Sequence, residues 1–200
     1  MKVFICDISK VSKSCLEKIV CVLSKEEKDK LQKMISLKRQ KEFIAGHYLL
    51  RRLLSQYLNR SIEDIEIKTL QSGALILADK SLGYISLSHS FDYVAIAISS
   101  YPIGLDMEKM RFKNNFNEIL EQIDSVKAAA ELMKNGISLQ ESFFRLWTKK
   151  EAFYKLNSVF YSSDQKNVFF SYHQHADFML CLASPTEQEI HWKNISFENS

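Results

Sequence analysis

Two short segments hold the side chains with the most chemical potential. In Ile103-Gly-Leu-Asp106-Met-Glu108, two carboxylates occupy alternate residues, so a strand would point both to one face, one pleat apart. In Trp147-Thr-Lys-Lys-Glu151-Ala-Phe-Tyr-Lys155, a carboxylate and an ammonium stand four residues apart, one turn of a helix. Hard cations such as Mg²⁺ take oxygen ligands and bridge to phosphate oxygens, so three carboxylates and a lysine, if brought together, form the inventory of a split magnesium and phosphate site. Each half also has a plain structural explanation. Glu151 and Lys155 could be a surface ion pair in the favourable order, and Asp106 and Glu108 could end an apolar strand in solvent. Gly104 allows another backbone or a ligand to approach closely.

Ser88-His89-Ser90 lies between two apolar runs, which places the imidazole at a hairpin mouth, within reach of a phosphate. A serine hydrolase is excluded: no G-x-S-x-G elbow is present, adjacent strand residues face opposite ways, and no third triad group is identifiable. His173, His175 and His191 lack metal-ligand spacing and read as structural.

Those residues need rigid elements to position them. The chain has 200 residues, 46% of them hydrophobic, with thirteen Phe and eight Tyr but only five Gly and two Pro. This composition specifies a globular protein of regular helices and strands. The net charge of +3 is too small for a dedicated nucleic-acid binder. Cys6, Cys15, Cys21 and Cys181 form no C-x-x-C pair, the first residues lack the apolar run of a signal peptide, and no stretch approaches the roughly 20 apolar residues of a membrane span. A soluble, cytoplasmic protein with free thiols follows.

Val3 to Ile8 reads as a strand. Ser24-Lys-Glu-Glu27 is a capping box that opens a charged helix. A second helix runs from about Lys38 to Leu58, with an apolar stripe beside a basic outer face of Arg39, Lys41, Arg51 and Arg52. Strands are expected over Ile62 to Leu70, Leu75 to Leu77, Tyr84 to Ser90, Tyr93 to Ser99 and Ile103 to Met107, with a hairpin turn near Phe91-Asp92. A helix over Asn117 to Asn135 stops at Gly136, and another starts near Ser138. On that last helix Phe143, Trp147 and Tyr154 share one arc, while Thr148, Glu151 and Lys155 share a polar one. A hairpin over Val168 to Tyr172 and Phe178 to Ala183 and a short strand from Ile190 to Phe197 end the chain. Each half thus runs helices then strands, predicting an α+β fold of two similar lobes, residues 1–100 and 101–200, that meet near residue 100.

Taken in order, Ile85-Ser-Leu-Ser-His-Ser90, Ile103-Gly-Leu-Asp-Met-Glu108 and Phe144-Arg-Leu-Trp-Thr-Lys-Lys-Glu-Ala-Phe-Tyr-Lys155 resemble the three blocks of the 4′-phosphopantetheinyl transferases of the surfactin-synthetase type. Phe43-Ile-Ala-Gly-His-Tyr-Leu-Leu-Arg51 is similar to that family's additional N-terminal block, so the likeness covers roughly residues 24 to 157. The resemblance implies two lobes related by a pseudo-twofold in one monomeric chain, with coenzyme A in the cleft. It implies transfer of the phosphopantetheine arm from coenzyme A to a serine of an acidic acyl or peptidyl carrier protein, releasing 3′,5′-ADP. Asp106, Glu108 and Glu151 would hold Mg²⁺, or Mn²⁺, which accepts the same oxygen set, and Glu151 would also be the base for the serine proton. Lys155 and His89 would meet the pyrophosphate, Ser88 would support it, and Lys28 and Lys30 would take the 3′-phosphate of the nucleotide. The chain departs from the family pattern at His47, where an arginine is usual, at Gly73-Ala-Leu75, which lacks a lysine, and after Lys155, where no glycine follows. Two other readings use the same residues: a metal-dependent phosphodiesterase or nuclease, and a protein of this fold that binds coenzyme A or a carrier without turnover.

Overall fold

The computed structural model describes residues 1–111, 115–160 and 167–197. Its elements run β1 (Lys2–Asp7), α1 (Lys13–Ile19), α2 (Lys25–Gln32), α3 (Leu37–Leu58), β2 (Ile67–Thr69), β3 (Leu75–Leu77), β4 (Tyr84–Ser90), β5 (Tyr93–Ser99), β6 (Gly104–Lys109), α4 (Phe116–Gln122), α5 (Val126–Lys134), α6 (Leu139–Val159), β7 (Phe169–His175), β8 (Phe178–Ser184) and β9 (His191–Ser196). The fold is α+β. One sheet has the order β4-β5-β1-β9, another β6-β8-β7, and β2 pairs with β3 alone. A topological repeat is visible in the two larger sheets: a strand (β1, β6), a long helix (α3, α6), then a hairpin (β4–β5, β7–β8) whose second strand pairs antiparallel with the first strand. β9 adds to β1 in parallel.

The period-2 alternation of the strands sorts side chains between layers. Val3 and Ile5 of β1, Ala95 and Ala97 of β5, Leu105 and Met107 of β6 and Leu180 and Leu182 of β8 form one buried cluster where the two sheets meet. Val94, Ile96 and Ile98 face the opposite way, onto Leu49, Leu50, Leu53 and Leu54 of α3. Cys181 and Ala183 face Ala152 and Leu156 of α6. The result is four layers, helix, sheet, sheet, helix. Since Leu105 and Met107 turn to the inter-sheet core, Asp106 must turn to the α6 side, and Glu108 with it.

Helix starts follow their caps. Ser24 accepts from the Glu27 amide while Glu27 accepts from the Ser24 amide at 2.7 Å, the expected capping box. Ser36 and Ser138 cap α3 and α6 by accepting from the backbone amides of Arg39 and Glu141. Three expectations are corrected. Ile62 to Leu70 is a 3₁₀ turn at Ile62–Asp64 followed by the short β2, because Ser61, Glu63 and Asp64 offer local hydrogen bonds that compete with a strand. The helix over Asn117 to Asn135 breaks at Asp124, whose φ of 51° is left-handed and closes α4 before Ser125 opens α5. Arg51 is buried at 3% exposure and does not belong to a solvated basic face.

Arg51 is buried because it has a partner. Its Nη2 donates to Glu27 Oε2 at 2.7 Å, and Glu27 Oε1 lies 2.6 Å from His47 Nδ1, all three residues being buried. This ion cluster fastens α2 to α3. Burial alone would raise the Glu27 carboxyl, but His47, Arg51 and the Ser24 amide outweigh it and hold the group at about 2.

Candidate active site

β6 approaches α6 at a distance only glycine permits. A Cβ placed on Gly104 would fall 2.0 Å from the Ala152 carbonyl oxygen and 2.5 Å from the Leu156 amide nitrogen. The close approach that Gly104 allows is therefore to a neighbouring helix. It brings the α6 side chains onto the strand two residues further on: Lys155 Nζ donates to Asp106 Oδ1 at 2.8 Å and to the Leu105 carbonyl at 2.9 Å. The ammonium is thus committed to a carboxylate of the neighbouring strand.

β4 supplies the other wall. Its serines at alternate positions form a ladder against β6: Ser86, Ser88 and Ser90 accept from the amides of Leu105, Met107 and Lys109 at 2.9, 3.2 and 3.0 Å. Two of these hydroxyls also donate onward, Ser88 to Asp106 Oδ1 and Ser90 to Glu108 Oε2, both at 2.9 Å. Hydroxyls take the place of a backbone ladder here, and each fixes one carboxylate. The signal was present in the sequence, since Ser88 and Ser90 are spaced as Asp106 and Glu108 are, but only the pairing of strands gives it meaning.

His89, of opposite parity, faces α3. Its Nδ1 lies 3.2 Å from Glu42 Oε2, a carboxyl that is itself 5% exposed. Burial, followed by the nearby cations Lys155 and Arg39, lowers the imidazole to about 4, so it is uncharged at neutral pH. Burial also raises Glu42 above the usual carboxylate range. A neutral imidazole meets a phosphate as a hydrogen-bond donor, not as a cation.

These groups line a cavity of about 420 Å³ that contains Ser88, His89, Asp106, Glu108, Glu151 and Lys155. Lys30 and His47 line it too, beside Phe43, whose ring is 4.2 Å from the His47 ring and beneath Lys30. A second corner, with the Lys30 ammonium, therefore lies within the same cavity as the carboxylates. Lys28 is not among the lining residues; its ammonium donates to the Cys21 carbonyl at 3.0 Å. Thr148, placed by the helical wheel on the polar arc, is fully buried and bonds back to the Phe144 carbonyl, whereas Tyr154, placed with the core aromatics, is exposed and lines the cavity. Glu42, the serine ladder and the Glu27–His47–Arg51 cluster escaped sequence reasoning. The segment 161–166, past the point where the family pattern has a glycine-containing loop, lies outside the described residues.

The donor set suits a hard divalent cation. Asp106 Oδ2 is buried and has no hydrogen-bond partner among the described residues, an acceptor left over after Ser88 and Lys155 have taken the other oxygen. Burial and the adjacent Asp106 charge raise the Glu151 carboxyl, the crowding that a cation would relieve. Among the described residues no three acidic, His or Cys side chains already converge on one metal position. Water and phosphate oxygens would complete such a shell, as is usual for Mg²⁺.

Residues 102–197, which contain β6, α6 and the β7–β8 hairpin, match the family model described as the 4′-phosphopantetheinyl transferase superfamily. The match covers just under half of the chain. The chain is similar to the 4′-phosphopantetheinyl transferase psf-1 of Bacillus pumilus, with 31% identity over 114 residues, covering 56% of this chain and 48% of the relative. It is similar to Sfp of Bacillus subtilis (strain 168), 30% identical over 113 residues, 56% of this chain and 50% of the relative. AcpT of Salmonella typhimurium is 29% identical over 119 residues, 58% of each. The matched region spans about half the length of these relatives. The superfamily match begins beside Gly104 and includes Asp106, Glu108, Glu151 and Lys155; Ser88 and His89 lie before it.

Proposed function

We propose that this chain transfers the 4′-phosphopantetheine arm of coenzyme A to a serine hydroxyl of an apo acyl or peptidyl carrier protein. The observation that carries the reading is the junction of β4, β6 and α6, where Ser88 and Lys155 both grip Asp106 beside Glu151 in one cavity, within a region of the transferase superfamily. In the reaction the serine oxygen bonds to the β-phosphorus of coenzyme A and the bond from that phosphorus to the bridging oxygen breaks. The leaving group is 3′,5′-ADP.

Glu151 suits the role of base, because burial and Asp106 raise its proton affinity toward that needed to accept the serine proton. Lys155 supports the charge that develops on the phosphate oxygens, and His89 donates a hydrogen bond to the same region. Ser88 and Ser90 hold Asp106 and Glu108 in place before substrate arrives, so little reorganisation is needed. Asp106, Glu108 and Glu151 would hold Mg²⁺, which when bound neutralises the pyrophosphate. Lys30 and His47 form the corner suited to the nucleotide phosphate.

The protein would act as a monomer in the cytoplasm. Among the described residues no helix is long and apolar enough to cross a membrane, and all four cysteines are free. Burial pushes the Cys6 and Cys181 thiols up to about 11 and about 12, which keeps both protonated and inert. Incubation with coenzyme A, Mg²⁺ and an apo carrier, followed by chromatography, should show 3′,5′-ADP appearing only when the carrier serine is intact. Release of mononucleotides from DNA or RNA without 3′,5′-ADP would instead make it a nuclease.

A further inference from the structure

At the Lys30 corner of the cavity, the proton of one buried ring is placed by its partner. His47 Nδ1 lies 2.6 Å from Glu27 Oε1, and Glu27 Oε2 accepts from Arg51 Nη2 and from the Ser24 amide, each at 2.7 Å. Held at about 2, the Glu27 carboxyl is ionised at neutral pH and can only accept. Nδ1 must therefore carry the proton of that contact. His47 also lines the cavity, and with Nδ1 committed the one polar atom it can offer there is Nε2, which has no hydrogen-bond partner among the described residues. A neutral ring in this tautomer offers a lone pair, not a donor, to whatever enters.

Charge balance points the same way. Glu27 and Arg51, both buried, already cancel, so a proton added to His47 leaves one buried positive charge uncompensated in the free protein. From α2, Lys30 adds another cation on the same aromatic ring: its ammonium lies 5.7 Å from the Phe43 centroid, and the His47 ring lies 4.2 Å from it. From β4, His89 is near enough for the two imidazoles to oppose each other's charge, and at about 4 it is itself neutral above pH 7. A phosphate in the cavity reverses the balance, because it needs a donor from Nε2 and supplies the missing negative charge. An arginine, the usual residue of the family pattern at this position, would carry its charge at every pH and need no proton.

We propose that His47 makes binding of the nucleotide end of coenzyme A proton-linked: Nε2 takes one proton from solvent as the ligand enters and donates it in a hydrogen bond to the 3′-phosphate. The proposal rests on the reading that this corner takes the nucleotide phosphate. Only the N–H bond forms, and the proton returns to solvent when the nucleotide leaves. A phosphate monoester loses its second proton near about pH 6, so at pH 8 the ligand arrives as the dianion and the proton comes from the buffer. Affinity accordingly falls as pH rises, since the protein must gain a proton to bind.

The test is calorimetric titration of coenzyme A into the protein with Mg²⁺ at pH 8, in buffers of low and high ionisation enthalpy, which counts the protons exchanged. Wild type should take up about one proton per coenzyme A, and its Kd should rise by up to about tenfold from pH 7 to 8. His47→Gln should abolish the uptake, as should 3′-dephospho-coenzyme A with wild type. His47→Arg should bind coenzyme A at pH 8 at least as tightly as wild type, with no uptake and a flat pH dependence. The nitrogen chemical shifts of His47 in wild type, where no folding defect intervenes, should show a proton on Nδ1 alone in the free protein at pH 8 and on both nitrogens in the complex. A ring already doubly protonated before ligand is added, or still neutral in the complex, would overturn the proposal, as would uptake that persists in His47→Gln or with 3′-dephospho-coenzyme A. If coenzyme A binds without proton uptake, the proposal alone falls; if it does not bind wild type, the nucleotide reading of the corner falls with it. Arm transfer to an apo carrier, measured on the same preparation, tests the transferase reading separately.

Discussion

Lys155 Nζ lies 2.8 Å from Asp106 Oδ1, joining α6 to β6 at the one point where a glycine lets the two backbones touch. Asp106 is 5% exposed and the lysine side chain 25%, so the contact is partly shielded from water and stronger than a surface pair. Lys155→Ala leaves the carboxylate with Ser88 alone. Stability should fall by about 1–2 kcal/mol and transfer by about a hundredfold. Mg²⁺ should recover part of the lost melting temperature, since the cation would replace the missing charge; thermal melts with Mg²⁺ and with a chelator check this.

Gly104 sets that contact. Because an added Cβ would meet backbone atoms of Ala152 and Leu156, which no rotamer change can move, Gly104→Ala should destabilise by about 3 kcal/mol or more. The reverse control is Gly73→Ala: its Cβ has open space, but the φ of 87° makes the cost one of backbone strain, about 1 kcal/mol. Urea denaturation of both variants should rank them in that order.

Glu27 makes an acid limit. Its folded value of about 2 lies below the ordinary 4.5, so its stabilisation is fully present above pH 4.5 and is lost as pH falls toward 2. The size is on the order of 3 kcal/mol. Glu27→Gln, which cannot ionise, should lose stability at pH 7 and show a flatter dependence between pH 5 and 2. Parallel acid titrations by circular dichroism would show the two curves converging at low pH.

Glu42 governs the direction of His89. Glu42 Oε2 lies 3.2 Å from His89 Nδ1, and a hydrogen bond in which Nδ1 accepts would keep the imidazole proton on Nε2, where it can be donated to phosphate. Glu42→Gln retains a donor to Nδ1 and should leave the KM for coenzyme A within about threefold, whereas Glu42→Ala should raise it about tenfold with a smaller change in kcat. The nitrogen chemical shifts of His89 report the tautomer directly.

Strands β1, β4, β5, β6 and β8 and the starts of α2, α3 and α6 were legible because local rules govern them: period-2 alternation and serine caps act within a few residues. The repeat of strand, long helix and hairpin was visible as helices followed by strands in each half. The gathering of Asp106, Glu151 and Lys155 was inferable through motif resemblance, though spacing alone left Glu151 and Lys155 as an ordinary surface pair. What escaped depends on contacts distant in sequence. Arg51 resembles any solvated arginine until Glu27, 24 residues earlier, is found beside it. Thr148 and Tyr154 exchanged roles because a helical wheel gives angles, not which arc meets β6. Glu42 could be linked to His89 only once α3 covered β4.

The central claim is that the junction of Asp106, Glu151 and Lys155 performs arm transfer. The decisive measurement is the intact mass of an apo carrier protein after incubation with coenzyme A and Mg²⁺, using wild type and Glu151→Gln side by side. Wild type should add the mass of one phosphopantetheine arm to the carrier serine, and the variant should do so at a rate at least about a hundredfold lower. No gain with any of several diverse carriers, or an undiminished gain with Glu151→Gln, would contradict it.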